Sequence, residues 1–226
     1  MTGNPQTLKD ARNRKGWTQA EAAARLGVSQ GYLSLLERGL RTASPSLVET
    51  ARTLFGPEVS LSLQDHSLVP ADDLARRLAA LGYEPLAYLA GRAKQAPQEV
   101  LLAALSHPDL EARLVEALPW VAFAFPQLDW DWLVDSVKRR DLQNRLGYVT
   151  SLAREVAEQK GDSQTVSSLR EAEDRLERSI LAREDTLCRD SMTAAERNWL
   201  LEKRPDQAKH WRVLTDLRSE HLPYAA

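Results

Sequence analysis

The residues of this chain best suited to chemistry on a partner lie between Gln19 and Arg41. The amide of Gln30 holds a donor and an acceptor side by side, the pair that matches N6 and N7 of adenine. Ser29, placed where a helix begins, suits a phosphate oxygen. Arg38 and Arg41, with Arg14 upstream, supply cations for charge contacts to phosphate. Catalytic patterns are missing by comparison. There is no phosphate-cradling glycine loop, no His/Cys metal spacing and no nucleophile–base–orienter set. The histidines at 66, 107, 210 and 221 mostly lack an acidic partner at a useful spacing. Neither catalysis nor a cofactor is expected.

Short amphipathic helices must position these residues. Thr7 caps a first helix over residues 7–15 that turns Leu8 and Ala11 inward, and Gly16 ends it. Thr18 opens a second helix, with Glu21 three residues on as a capping box, and Ala20, Ala23, Ala24 and Leu26 pack it. Gly27 supplies the strained conformation of the turn, Val28 plugs the core, and Ser29 caps a third helix. Leu33 and Leu36 point inward there, leaving Gln30, Gly31, Ser34 and Leu35 outside with Tyr32 beside them. Ser44-Pro45 opens a fourth helix with Leu47, Val48, Ala51 and Leu54 on its buried stripe, and Gly56-Pro57 stops it.

Residues 8–55 resemble the helix-turn-helix domain of the Xre family, the group of the lambdoid phage Cro and CI repressors. Leu8, Arg12, Gly16, Thr18-Gln19, Ala23, Leu26-Gly27-Val28-Ser29, Leu33, Leu36-Glu37-Arg38-Gly39 and Pro45 carry the match. The resemblance implies that Gln19 bonds a phosphate and braces the recognition helix. It implies that Ser29, Gln30, Gly31, Ser34 and Leu35 face the major groove and that Arg38 touches the backbone. Arg12 and Glu37 correspond to an internal ion pair and are structural. Two departures stand out: Ala22 replaces the usual leucine, with Trp17 as a compensating side chain, and Gly31 and Leu35 replace polar base-readers. A helical domain that has lost DNA binding and docks proteins is the competing reading of the same stretch.

The rest of the chain says less about its role. Residues 57–70 carry Val59, Leu61 and Leu63 in alternation, a short strand or an extended linker, and are taken as the boundary. Residues 71–226 read as an all-helical unit for dimerisation, effector sensing or partner binding. Leu118 to Arg145 concentrates Trp120, Phe123, Phe125, Trp130 and Trp132, which anchor a core or an interface. Asp129, Asp131, Asp135 and Asp141 accompany them, with Lys138 and Arg139 as partners in preference to a metal. Residues 163–188 fit a long helix, and Cys188 is a packed thiol. Thr193 and Glu196 form a second capping box. Pro205 begins a last helix through Trp211, Leu214 and Leu217, and the tail HLPYAA frays. The predicted fold is all-α: a four-helix Cro/CI-like domain at 1–56, a linker at 57–70 and a larger helical bundle.

Charge separates the two halves. Residues 1–56 carry eight Lys/Arg against four Asp/Glu, and the remainder carries 22 against 28. Phosphate contact is therefore expected at the first segment alone. One cysteine excludes an intramolecular disulfide, and no apolar run approaches the roughly 20 residues of a membrane span. A cytoplasmic protein without a membrane partner is expected. The leading expectation is a sequence-specific regulator of double-stranded DNA, acting as a homodimer and repressing its own promoter. The alternative is an antitoxin whose helical unit neutralises a cognate toxin while its first domain represses the operon.

Overall fold

The computed structural model describes residues 6–37, 43–56, 59–60, 69–89 and 95–225. Contacts divide the chain into two units, residues 1–67 and 68–226.

The first unit packs α1 (Leu8–Arg14), α2 (Gln19–Leu26), α3 (Gln30–Glu37) and α4 (Pro45–Phe55) around one core. Local chemistry sets each boundary. The Thr7 hydroxyl accepts from Asp10 N–H at 3.2 Å, and Ser44 accepts from Leu47 N–H at 3.3 Å, with Pro45 in the first turn. Thr18 and Glu21 close the capping box reciprocally. Leu8, Ala22, Ala23, Leu33, Val48 and Ala51 are all buried. Of the two readings open at Val59, a strand forms. Here β2 (Val59–Ser60) runs parallel to β1 (Gln6–Thr7), and Val59 joins the core, so the first unit reaches past Gly56.

The second unit begins with α5 (Ala71–Ala80) and a 3-10 helix at Glu84–Leu89. It continues through α6 (Pro97–Leu105), α7 (Ala112–Ala124), α8 (Trp130–Arg139), α9 (Gln143–Gln159) and α10 (Ser163–Glu177). Every residue from Leu142 to Ala153 is buried, so α9 is the unit's axis. The dense aromatic stretch serves mainly as core: Trp120 meets Tyr83 and Phe125 at centroid distances of 5.2 and 5.7 Å. Asp129 caps α8 through Trp132 N–H at 3.0 Å, and Asp131 pairs with Arg175 on α10 at 2.5 Å.

Three expectations fail in the second unit, for related reasons. The long helix over 163–188 ends at Glu177, because polar side chains of α9 capture the backbone that follows. Gln143 donates to Ser179 O at 3.0 Å, and Asn144 both donates to Leu181 O at 3.1 Å and accepts from Leu181 N–H at 2.8 Å. The chain then forms β3 (Asp185–Thr186). The helix opened by Pro205 is only α12 (Asp206–His210), which follows α11 (Ala194–Lys203). Arg212 takes a φ of 54° and turns the chain into β4 (Val213–Leu214), parallel to β3. Nor does the carboxyl-terminal segment fray: Leu222 is buried, and Tyr224 Oη donates to Glu116 O at 2.8 Å. The architecture remains all-α apart from these two-residue strand pairs among the described residues. No helix of the described residues is long and apolar enough to cross a membrane.

Candidate nucleic-acid interface

Two features place α3 against α2. Gly27 ends α2 with φ 70° and ψ 30°, a left-handed conformation that costs a side-chain-bearing residue energy. Val28 N–H then bonds Ala23 O at 3.0 Å, which fixes the direction in which the chain leaves the turn. Ser29 starts α3: its hydroxyl accepts from Tyr32 N–H at 3.1 Å and its carbonyl from Leu33 N–H at 3.0 Å. With Leu33 and Leu36 turned into the core, the outer face of α3 follows from helical spacing. Ser29, Gln30 and Gly31 are exposed on its first turn; Tyr32, Ser34 and Leu35 are half-buried beside them. Tyr32 also leans on the core.

At its other end, α3 is anchored by charge. Arg12 Nε donates to Glu37 Oε1 at 2.5 Å and its Nη2 to Oε2 at 3.2 Å, while its Nη1 reaches Trp17 O at 2.8 Å. Gln19 Nε2 adds a third bond to Glu37, at 2.9 Å. Burial works to raise the Glu37 carboxyl, but the bonds from Arg12 and Gln19 and the charges of Arg12 and Lys9 outweigh it and hold it below the usual range. The Arg12 guanidinium is raised in turn by its bond to Glu37, against its own desolvation. Three pieces of chain meet in this cluster, so the angle of α3 is set by α1 and by the start of α2. Gln19 braces α3 and sits half-buried at the first residue of α2.

The described part of α3 carries no cation, so positive charge near it comes from elsewhere. Lys9, Arg14 and Lys15 are exposed on and just after α1. Arg38 and Arg41 lie outside the described residues. One feature had no sequence signal: the Arg25 guanidinium stacks over Trp17, 4.4 Å from the ring centroid. Trp17 itself packs on the core, edge-on to Phe55 at 5.4 Å, while Ala22 is fully buried. Trp17 and Arg25 stand eight positions apart, and only the turn from α1 into α2 brings them together.

This geometry presents a capped helix N-terminus, one exposed amide and an apolar flank on one face of α3. The chain matches no curated protein and no solved structure. A family model described as helix-turn-helix matches residues 8–56, and the region that follows has no family match. Residues 8–56 are a DNA-binding helix-turn-helix domain of the Cro/CI type, in the Xre family, which makes the chain a DNA-binding transcription regulator.

Proposed function

We propose that the chain is a sequence-specific repressor that binds a two-fold symmetric operator as a dimer and controls its own promoter. The observation that carries the reading is the outer face of α3, with Gln30 exposed on its first turn and Glu37 tied to Arg12 and Gln19 at its last. In this reading Gln30 reads an adenine edge, Leu35 touches a thymine methyl, and Ser29 and Gln19 bond phosphates, with Gly31, Tyr32 and Ser34 lining the approach. Arg38 and Arg41 supply backbone cations beyond α3. One recognition helix covers only a few base pairs, so two copies on half-sites about 34–36 Å apart provide the affinity. A footprint on the chain's own upstream DNA tests this directly. Protection of two half-sites one turn apart supports it, and protection of none overturns it.

A second reading draws on α11, where Trp199 is 53% and Leu201 42% exposed in an acidic unit. Such side chains suit a protein partner, and a basic toxin fits the charge. Co-purification from the native operon separates the readings: a second stoichiometric polypeptide supports the antitoxin, and its absence removes it.

A further inference from the structure

A pocket of about 420 Å³ lies in the second unit where three distant stretches of chain meet. That volume falls within the range of small-molecule sites. One wall is a short antiparallel pairing centred on Asp109 and Arg189, where Leu110 N–H donates to Cys188 O and Asp190 N–H to Pro108 O, both at 2.9 Å. The second wall is the start of α7, whose Ala112, Val115 and Glu116 face the cavity at i, i+3 and i+4. The third is Thr215–Leu217 after β4, together with His221. Backbone bonds hold the first wall, helix α7 forms the second, and in the third Tyr148 Oη donates to Leu217 O.

Its chemistry is lopsided. The floor is apolar, built by Leu110, Val115, Leu187 and the buried Cys188. Burial pushes that thiol up to about 11, against the pull of Arg145, so it offers an uncharged surface at neutral pH. Three acidic residues, Asp109, Glu116 and Asp216, and two basic ones, Arg189 and His221, line it, and the Arg189 guanidinium is already paired with Glu196 at 2.7 Å. Asp109 is pinned by Ser191 N–H at 2.9 Å. Among the described residues the side chains of Glu116 and Asp216 have neither a hydrogen bond nor an ion pair. Two unpartnered carboxylates over an apolar floor favour a positive group attached to a hydrocarbon body and repel an anion.

We propose that this pocket binds a small organic cation, an ammonium or amidinium on an aliphatic or aromatic body, with Glu116 and Asp216 taking the charge. Its occupant bridges α7, the 187–191 segment and the chain after β4, so binding stabilises the second unit by mass action. A role in controlling operator binding rests on the regulator reading; the binding site itself does not.

Calorimetric titration of the full chain without DNA tests the site, using benzylammonium, benzyl alcohol and benzoate as probes. Benzylammonium is expected to saturate and to raise Tm. A charge-assisted bond lost means that the alcohol and benzoate bind about tenfold more weakly or worse. The double variant Glu116→Gln/Asp216→Asn removes no side-chain hydrogen bond or ion pair among the described residues. It is expected to keep its circular dichroism spectrum and lose benzylammonium binding by a similar factor. Absence of saturation with benzylammonium, equal binding of the three probes, or binding unchanged in the double variant overturns the proposal. A footprint with and without benzylammonium reads the regulatory consequence separately, so failure to bind DNA leaves the calorimetric result standing.

Discussion

Arg12 and Glu37 form a two-pronged ion pair that ties the middle of α1 to the last residue of α3, with contacts of 2.5 and 3.2 Å. Their side chains retain only 11% and 2% of their exposure, so the pair is shielded from salt and from competing water. Removing one partner strands the other. Glu37→Ala is expected to destabilise the first unit by about 3 kcal/mol, the low end of the range for a broken buried pair, because Arg12 keeps its bond to Trp17 O. Amide exchange reads it: protection falls in α1–α3 and stays unchanged in α9. Equal loss in both units would contradict the assignment.

The same carboxylate makes the first unit acid-sensitive. Glu37 lies below its ordinary value of 4.5, since the bonds from Arg12 and Gln19 override its burial. A depressed carboxyl stabilises the fold above its unfolded value and loses that contribution as pH falls through the folded one. First-unit stability should therefore drop as pH falls below about 4.5. Urea midpoints across that range check it, and Glu37→Gln should give a flatter acid limb than the native chain.

Readout by Gln30 is testable apart from stability, because its side chain is exposed and supports nothing in the core. Gln30→Ala should cost about 1–3 kcal/mol of discrimination at one base pair per half-site and leave non-specific binding and Tm unchanged. Electrophoretic shifts on operators substituted one position at a time measure this. Undiminished discrimination at every position removes Gln30 from the readout.

Gly147 has no room for a side chain, since a methyl group there would overlap the six-membered ring of Trp211. Both residues are buried, and so is every residue of the chain from Leu142 to Ala153 around Gly147. Gly147→Ala should cost about 1–3 kcal/mol or more in the second unit, the usual effect of overpacking. Chemical denaturation followed by tryptophan fluorescence measures it, and a neutral result would show that Trp211 can move aside at little cost.

Arg145 is the charged centre of the second unit. It donates to Leu105 O at 3.1 Å and His107 O at 3.0 Å, and it pairs with Asp185 at 2.9 Å and Asp190 at 3.1 Å. Arg145→Met leaves the mostly buried Asp185 without its cation and should cost about 3–5 kcal/mol. It should also loosen the 185–190 segment, so that Cys188, which is fully buried in the native chain, reacts with a thiol reagent without added denaturant. Native-like protection of the thiol in the variant would show that the segment holds without Arg145.

The sequence alone determined the elements whose signals lie within a few residues of one another. Thr18 and Glu21 close their box across three positions, Gly27 meets its left-handed turn by itself, and Ser44-Pro45 sets the start of α4. These local bonds form wherever the stretch is placed, so the helix-turn-helix segment was legible, as was the second box at Thr193 and Glu196. Tertiary structure decided the features that depend on partners far along the chain. Residues 178–188 have adequate helix formers, yet Gln143, Asn144 and Arg145, some 36 to 40 positions earlier, bond Ser179, Leu181 and Asp185 and pull the segment out of a helix. A buried side chain must satisfy its polar groups, and that demand outweighs the few tenths of a kcal/mol per residue in helix propensity. The pocket between α7 and the last strand pair has the same origin. Glu116 and Asp216 stand a hundred positions apart in the chain, and only the folding of the carboxyl-terminal segment onto α7 brings them to one cavity.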